Sequence, residues 1–147
     1  MAFNPRAVME RTKSFLAASG RFPGGVTIGE PKSPPGKGMA AAVILGPITI
    51  TELSLTTASG RIDLIIRLYR DAIDEPLDQT EFIMGQTILE LFEDFCGDFD
   101  FGDDDVRHLQ PLDMGAAPGY QQIGNTLYRI ADITVPLMVN DLASLRR

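Results

Sequence analysis

Five aspartates, Asp98, Asp100, Asp103, Asp104 and Asp105, crowd one short stretch of the chain. Such hard oxygen donors suit calcium or magnesium. An EF-hand loop beginning at Asp98 needs an oxygen ligand at its fifth position and glycine at its sixth. Gly102 and Asp103 stand there instead, so the template fails. A solvated acidic turn is the plainer reading. His108 is the only histidine and Cys96 the only cysteine. One of each does not make a zinc site, and no local motif supports a Cys–His nucleophilic pair. Cys96 falls on an apolar helical pattern and is expected in the core, with His108 structural. Carboxylates abound, yet none stands apart as a tuned acid–base pair. No catalytic, metal-ligating or cofactor-binding residue is assigned, and no cofactor is expected.

The stretch GEPKSPPGKG, residues 29–38, raises the question of phosphate binding. A P-loop places four residues between its first glycine and the Gly-Lys pair, then Ser or Thr for magnesium. Here six residues separate Gly29 from Gly36, and Gly38 follows Lys37. Pro31, Pro34 and Pro35 stiffen the segment, and a strand pattern rather than a helix follows it. The stretch reads as an exposed, positively charged Pro/Gly loop suited to contact.

At 147 residues the chain fits one domain, residues 1–147, large enough to bury a core without metal or disulfide. No signal peptide and no membrane-length apolar run are read. The net charge of −7 argues against a general or sequence-specific nucleic-acid binder. Its distribution is uneven. Between Asp71 and Asp105 lie thirteen acids and no Lys or Arg, which leaves seven acids against all thirteen bases elsewhere. A subunit polarised in this way has the means for head-to-tail contact with its own copies.

The elements that would position these groups follow from periodicity and punctuation. Asn4 as cap, Pro5 at the first position and Gly20 as stop predict a first helix, with Val8, Phe15 and Leu16 inward. Val26 to Gly29 reads as a short edge strand. Met39 to Leu45 is an apolar strand that Gly46-Pro47 interrupts. Ile48 to Leu55 alternates Thr with Ile, as a sheet with one wet face should. Ala58-Ser59-Gly60 is read as a turn, and Ile62 to Tyr69 as a strand. Asp78 and Glu81 predict a capping box opening a second helix. Phe82, Ile88, Leu89, Phe92, Phe95 and Cys96 form its apolar stripe. Glu90, Glu93 and Asp94 find no cation within that helix, so their repulsion must be screened by salt or answered by another surface. Val106 to Leu112 is a strand, Gly115 to Gly119 a turn, and Tyr120 to Ile123 pairs with Leu127 to Val139 across Gly124-Asn125. Pro136 marks an edge or bulge. Helix, strands, helix, strands predict an α+β fold, a mixed or antiparallel sheet with two main helices on one face.

Several segments together resemble the tail terminator proteins of long-tailed bacteriophages: the N-terminal helix, the Pro/Gly loop, LIIRLYRDA, FIMGQTILELFEDFCGDFD and YQQIGNTLYRIADITVPLMVND. The closing strand, with Tyr-Arg near its start and VPLMVND at its finish, is the most telling. The resemblance implies a homohexameric ring that caps the tail tube, ends its polymerisation and offers the surface joining tail to capsid connector. It implies a virion structural protein rather than an enzyme, assembled in the host cytoplasm, with the tail tube protein and the connector protein as partners. Head–tail completion proteins of the same particle share size and fold style and stay open, as does a small metal-dependent enzyme using the 98–105 aspartates. Within a ring, Asp98, Asp100, Asp103, Asp104 and Asp105 would face basic side chains of a neighbour or of the tube. Arg61, Arg67, Arg70 and Arg107 are the candidate partners. Lys32 and Lys37 would form a contact arm that orders on assembly.

Overall fold

A computed structural model describes residues 3–35, 38–72, 77–97, 101, 106–109 and 113–144, with the side chains of 77, 78, 106–109 and 144 excepted. The fold is α+β, a mixed sheet with both helices on one face. Helix α1 spans Pro5–Ala18 and α2 spans Leu77–Cys96. The strands are β1 (Val26–Ile28), β2 (Ala40–Leu53), β3 (Thr57–Asp71), β4 (Val106–Leu109), β5 (Gly115–Ile123) and β6 (Thr126–Ser144). The sheet runs β1-β2-β3-β6, and β4 and β5 share the far edge of β6 end to end. Among the described residues, only β1 and β2 run parallel.

Helix α1 forms as its sequence dictates. The Asn4 side chain accepts from the Ala7 backbone N–H at 3.2 Å, and Pro5 opens the helix, where its missing N–H costs nothing. Val8, Thr12 and Leu16, spaced by four, are buried. Gly20, with φ of 77°, takes the left-handed conformation that ends the helix.

Strand β3 is the spine. It pairs with β2 on one side and β6 on the other, and its burial alternates with period two. Ile62, Leu64, Ile66 and Leu68 point to the helix side, where they meet Val8, Leu16, Met84, Leu91 and Phe95 from the helices and Ile133, Val135 and Leu137 from β6. A smaller apolar group, with Tyr69, Tyr128, Ile130 and Ile123, lies on the opposite face, with the two tyrosine rings edge-to-face at 6.1 Å.

Several sequence expectations change. Gly46-Pro47 does not end β2; the strand runs on through a register shift between Leu45 and Ile48. The turn is not at Ala58-Ser59-Gly60, which lies in β3, but at Ser54 to Thr57, where the Ser54 hydroxyl accepts from the Thr57 N–H at 2.9 Å. Gly115 to Gly119 is not a turn but the start of β5. Pro118 is tolerated there because β5 is an edge strand with one ladder partner, β6. The Gly124-Asn125 turn holds: Ile123 pairs with Thr126, and Gly124 alone takes a positive φ, 60°, as in a type II′ hairpin. Pro136 lies mid-strand in β6, between the last residue paired with β5 (Thr134) and the first paired with β4 (Leu137). The missing N–H falls where the partner strand changes. Asp78 is not the cap of α2 but its second residue. The buried stripe of α2 is Thr80, Met84, Thr87, Leu91 and Phe95, so Phe82, Leu89 and Cys96 face outward.

Gly60 tests the β2–β3 packing. A Cβ there would sit 2.1 Å from the Thr49 carbonyl oxygen, whereas one at Gly85 in α2 would meet nothing within 4 Å. Gly60→Ala is expected to lower stability by about 3 kcal/mol through forced strand separation. Gly85→Ala is expected to raise it by up to about 1 kcal/mol through helix propensity. Urea unfolding midpoints of the two variants check the contrast.

Candidate functional site

The face of the sheet away from the helices carries a ladder of ion pairs. Odd residues of β3 and even residues of β6 share it, since Arg67 pairs with Asp132 and Arg61 with Met138 in register. Arg67 grips Asp132 as a fork, Nε to Oδ1 at 2.6 Å and Nη2 to Oδ2 at 3.0 Å. Its Nη1 also donates to Glu30 Oε1 at 2.6 Å and to Gln121 Oε1 at 3.2 Å. The hydrogen bond to Asp132 holds the Arg67 guanidinium well above its ordinary pKa. Arg61 donates to Asp63 at 2.7 Å and to Asp113 at 2.9 Å, and Asp63 raises its pKa in the same way. Arg70 is buried on the helix side, beside Arg129 in register.

These placements revise the charge argument. Arg61 and Arg67 already have carboxylates of their own chain, so neither needs a neighbour's acid. Glu90 and Asp94 do find the cation they lack within α2, but it is Arg21 of the same chain, at 3.0 and 2.6 Å. The sequence pairs Glu81 in a capping box with Asp78, whose side chain lies outside the described residues. Glu81 accepts a bidentate grip from Arg129, at 2.8 and 3.1 Å, which holds its carboxyl below the usual range. Arg129 also lies over the Tyr120 ring, 5.5 Å from its centre. Sequence reading missed Arg21 and Arg129 because each pairs with acids 48 or more residues away.

Lys32 is exposed and, with Pro31, Pro34 and Pro35, borders a cavity of about 280 Å³ against Tyr69. Residues 29–35 take no helix or strand. They are tied to the sheet by Glu30 to Arg67 and by the Tyr128 hydroxyl donating to the Pro35 carbonyl at 3.3 Å. Burial pushes the Tyr69 phenol up, and the Arg67 guanidinium pulls it part of the way back. Arg107 is the extra residue of a bulge in β4, and its side chain lies outside the described residues. Lys37, Asp98, Asp100, Asp103, Asp104 and Asp105 also lie outside them.

The feature with the clearest physical demand lies elsewhere. The Thr/Ile alternation of β2 predicts a dry isoleucine face, yet Ile48 and Ile50 are 51% and 55% exposed. They wall a groove of about 360 Å³ lined by Phe3, Pro5, Ile62, Leu142 and Ala143. Leu53 and Leu55 at the hairpin tip are more open still. Full burial of one such aliphatic side chain is worth about 1.5–3 kcal/mol, so this chain alone leaves several such contributions unrealised. On α2, Phe82 and Leu89 are 67% and 59% exposed. Cys96, expected in the core, shares their face. The signal was present in the sequence: Phe82, Leu89 and Cys96 recur every seven residues, out of step with the buried stripe.

Comparison with models of known protein families and with curated proteins found no match for this chain.

Two measurements check the ion pairs. Arg67→Met leaves Asp132 and Glu30 side by side without their cation, and a loss of about 1–3 kcal/mol in urea unfolding is expected. Glu81→Gln should cost less than about 1 kcal/mol, since the pair is solvent-screened. Because the folded Glu81 pKa is depressed below 4.5, the contribution is present above that pH and fades as pH falls through the folded value. Thermal melts of variant and wild type should differ at pH 7 and converge at the acid end.

Proposed function

We propose that this protein is a virion structural subunit that assembles as a ring on the end of a phage tail tube. There it stops tube polymerisation and presents the surface that joins tail to capsid connector. The observation that carries this reading is the half-exposed isoleucine groove on β2. Monomeric proteins rarely leave a contiguous apolar surface of this kind uncovered. A pattern that alternates to bury one face, on a strand whose own chain does not cover it, fits a subunit completed by assembly.

Two further observations support it. The α+β architecture is the one that the resemblance to tail terminator proteins implies. The apolar surfaces lie on two separate elements, β2 and α2, which suits the heterologous contacts that close into rings. The role is mechanical and needs no catalytic residue.

The test mixes the purified protein with polymerising tail tube protein of the same particle and measures tube lengths by negative-stain electron microscopy. Expected are short tubes of narrow length distribution, with a ring at one end. Tubes of the same length with and without the protein would rule the reading out.

A further inference from the structure

We propose that the groove beneath Ile48 and Ile50 receives the outer face of α2 from a second copy of this chain, with Phe82 and Leu89 as the inserted side chains. The proposal rests on the ring reading and supplies its junction. Phe82 and Leu89 stand seven residues apart, nearly two turns, so they project from one side of α2 about 10 Å apart. Gly85 lies between them with open space where a side chain would be, which lets another chain approach the helix closely. The groove offers matching apolar walls in Phe3, Ile48, Ile50, Ile62 and Leu142.

Charge selects this pairing over the alternatives. Helix α2 carries five acids and no base. Glu93, exposed, follows Leu89 by one turn on the outward face. Helix α1, whose Pro5 borders the groove, carries Arg6, Arg11 and Lys13 against Glu10 alone. The Arg6 side chain is 84% exposed, and its pair with Glu10 is a surface i,i+4 contact that exchanges at little cost. Glu81, Glu90 and Asp94 already hold Arg129 and Arg21 of their own chain, so an α2–α2 contact between two copies would bring the exposed Glu93 of each helix together. Edge-to-edge pairing of β2 would meet Pro47 and two register shifts, which break a continuous ladder. Groove and helix face lie at different places on the molecule, so copies join head to tail.

The test uses full-length Leu89→Lys, which spoils the inserted face, and Ile50→Lys, which spoils the groove. Both positions are exposed, so circular dichroism and melting temperature should match wild type. Sedimentation velocity across concentration should show wild type associating and each variant alone at least about tenfold weaker. An equimolar mixture of the variants should form dimers and nothing larger, because only one intact groove and one intact inserted face remain per pair. Glu93→Arg should weaken association as well, and added salt should weaken that of wild type. The proposal is overturned by any of three results: a variant that associates like wild type, a mixture that stays monomeric, or a wild type that stays monomeric at its highest soluble concentration. The outcomes separate from those of the tube experiment. If both variants cap tubes as wild type does, only this junction fails. If wild type joins head to tail without shortening tubes, only the functional reading fails.

Discussion

The period-two alternation of β3 governs everything else in this molecule. Its even residues Ile62, Leu64, Ile66 and Leu68 fill the space under both helices, while its odd residues include Arg61, Asp63 and Arg67. A slip of one residue against β2 or β6 would place three charges in the helix-side core and four large aliphatic side chains on the ion-pair face. Neither face tolerates that exchange, so the register is fixed twice. Ten of its fifteen residues are paired on both sides and carry that constraint to the neighbours. The positions of the ion pairs on the sheet and of the groove follow from it.

The constraint also sets where several charges that are far apart along the chain meet. Along the sequence, acids dominate from Asp71 to Asp105 and bases elsewhere. Among the described residues, folding brings some of each together. Arg21 reaches Glu90 and Asp94 across the helix pair, and Arg129 reaches Glu81 across the sheet-to-helix layer. Arg67 meets Asp132 because β3 and β6 are antiparallel and in register. Among the described residues, Glu93 on the outer face of α2 and Arg6 on α1 remain exposed charges at separate places on the molecule. Electrostatics of that kind steers and orients contact, while apolar burial supplies most of the driving force.

The fold was legible where the signal was local. The Asn4-Pro5 start, the Gly124-Asn125 hairpin and the α+β order are each set by a few adjacent residues. Boundaries set by long-range pairing were not. Pro47 and Pro118 read as breaks, because a proline lacks a ladder donor. Both sit on strands with an open edge, where that donor has no partner to lose. The α2 stripe was misassigned because the helix has apolar residues on two faces. Periodicity alone ranks Phe82 and Leu89 with Phe95, and only packing against β3 and β6 separates Met84, Leu91 and Phe95 from them. The candidate site was legible in one respect, the Ile48 and Ile50 alternation. The sequence does not say whether a helix of the same chain covers that face.

An apolar edge of this size is a hazard as well as an opportunity. Residues 48–53 of β2 extend beyond the three-residue cover of β1, and an unpaired strand invites indiscriminate pairing. The sequence counters this with Pro47, with register shifts between Leu45 and Ile48 and between Ile50 and Glu52, and with the charge of Glu52 itself. These devices disrupt the backbone ladder yet leave the isoleucine side chains open. A strand that merely needed protection would have exchanged its isoleucines for polar residues at little cost to a monomer. Blocking the backbone while retaining the side chains discriminates between partners. It rejects another strand and admits a surface that packs through side chains, which is what a helix face such as that of α2 provides.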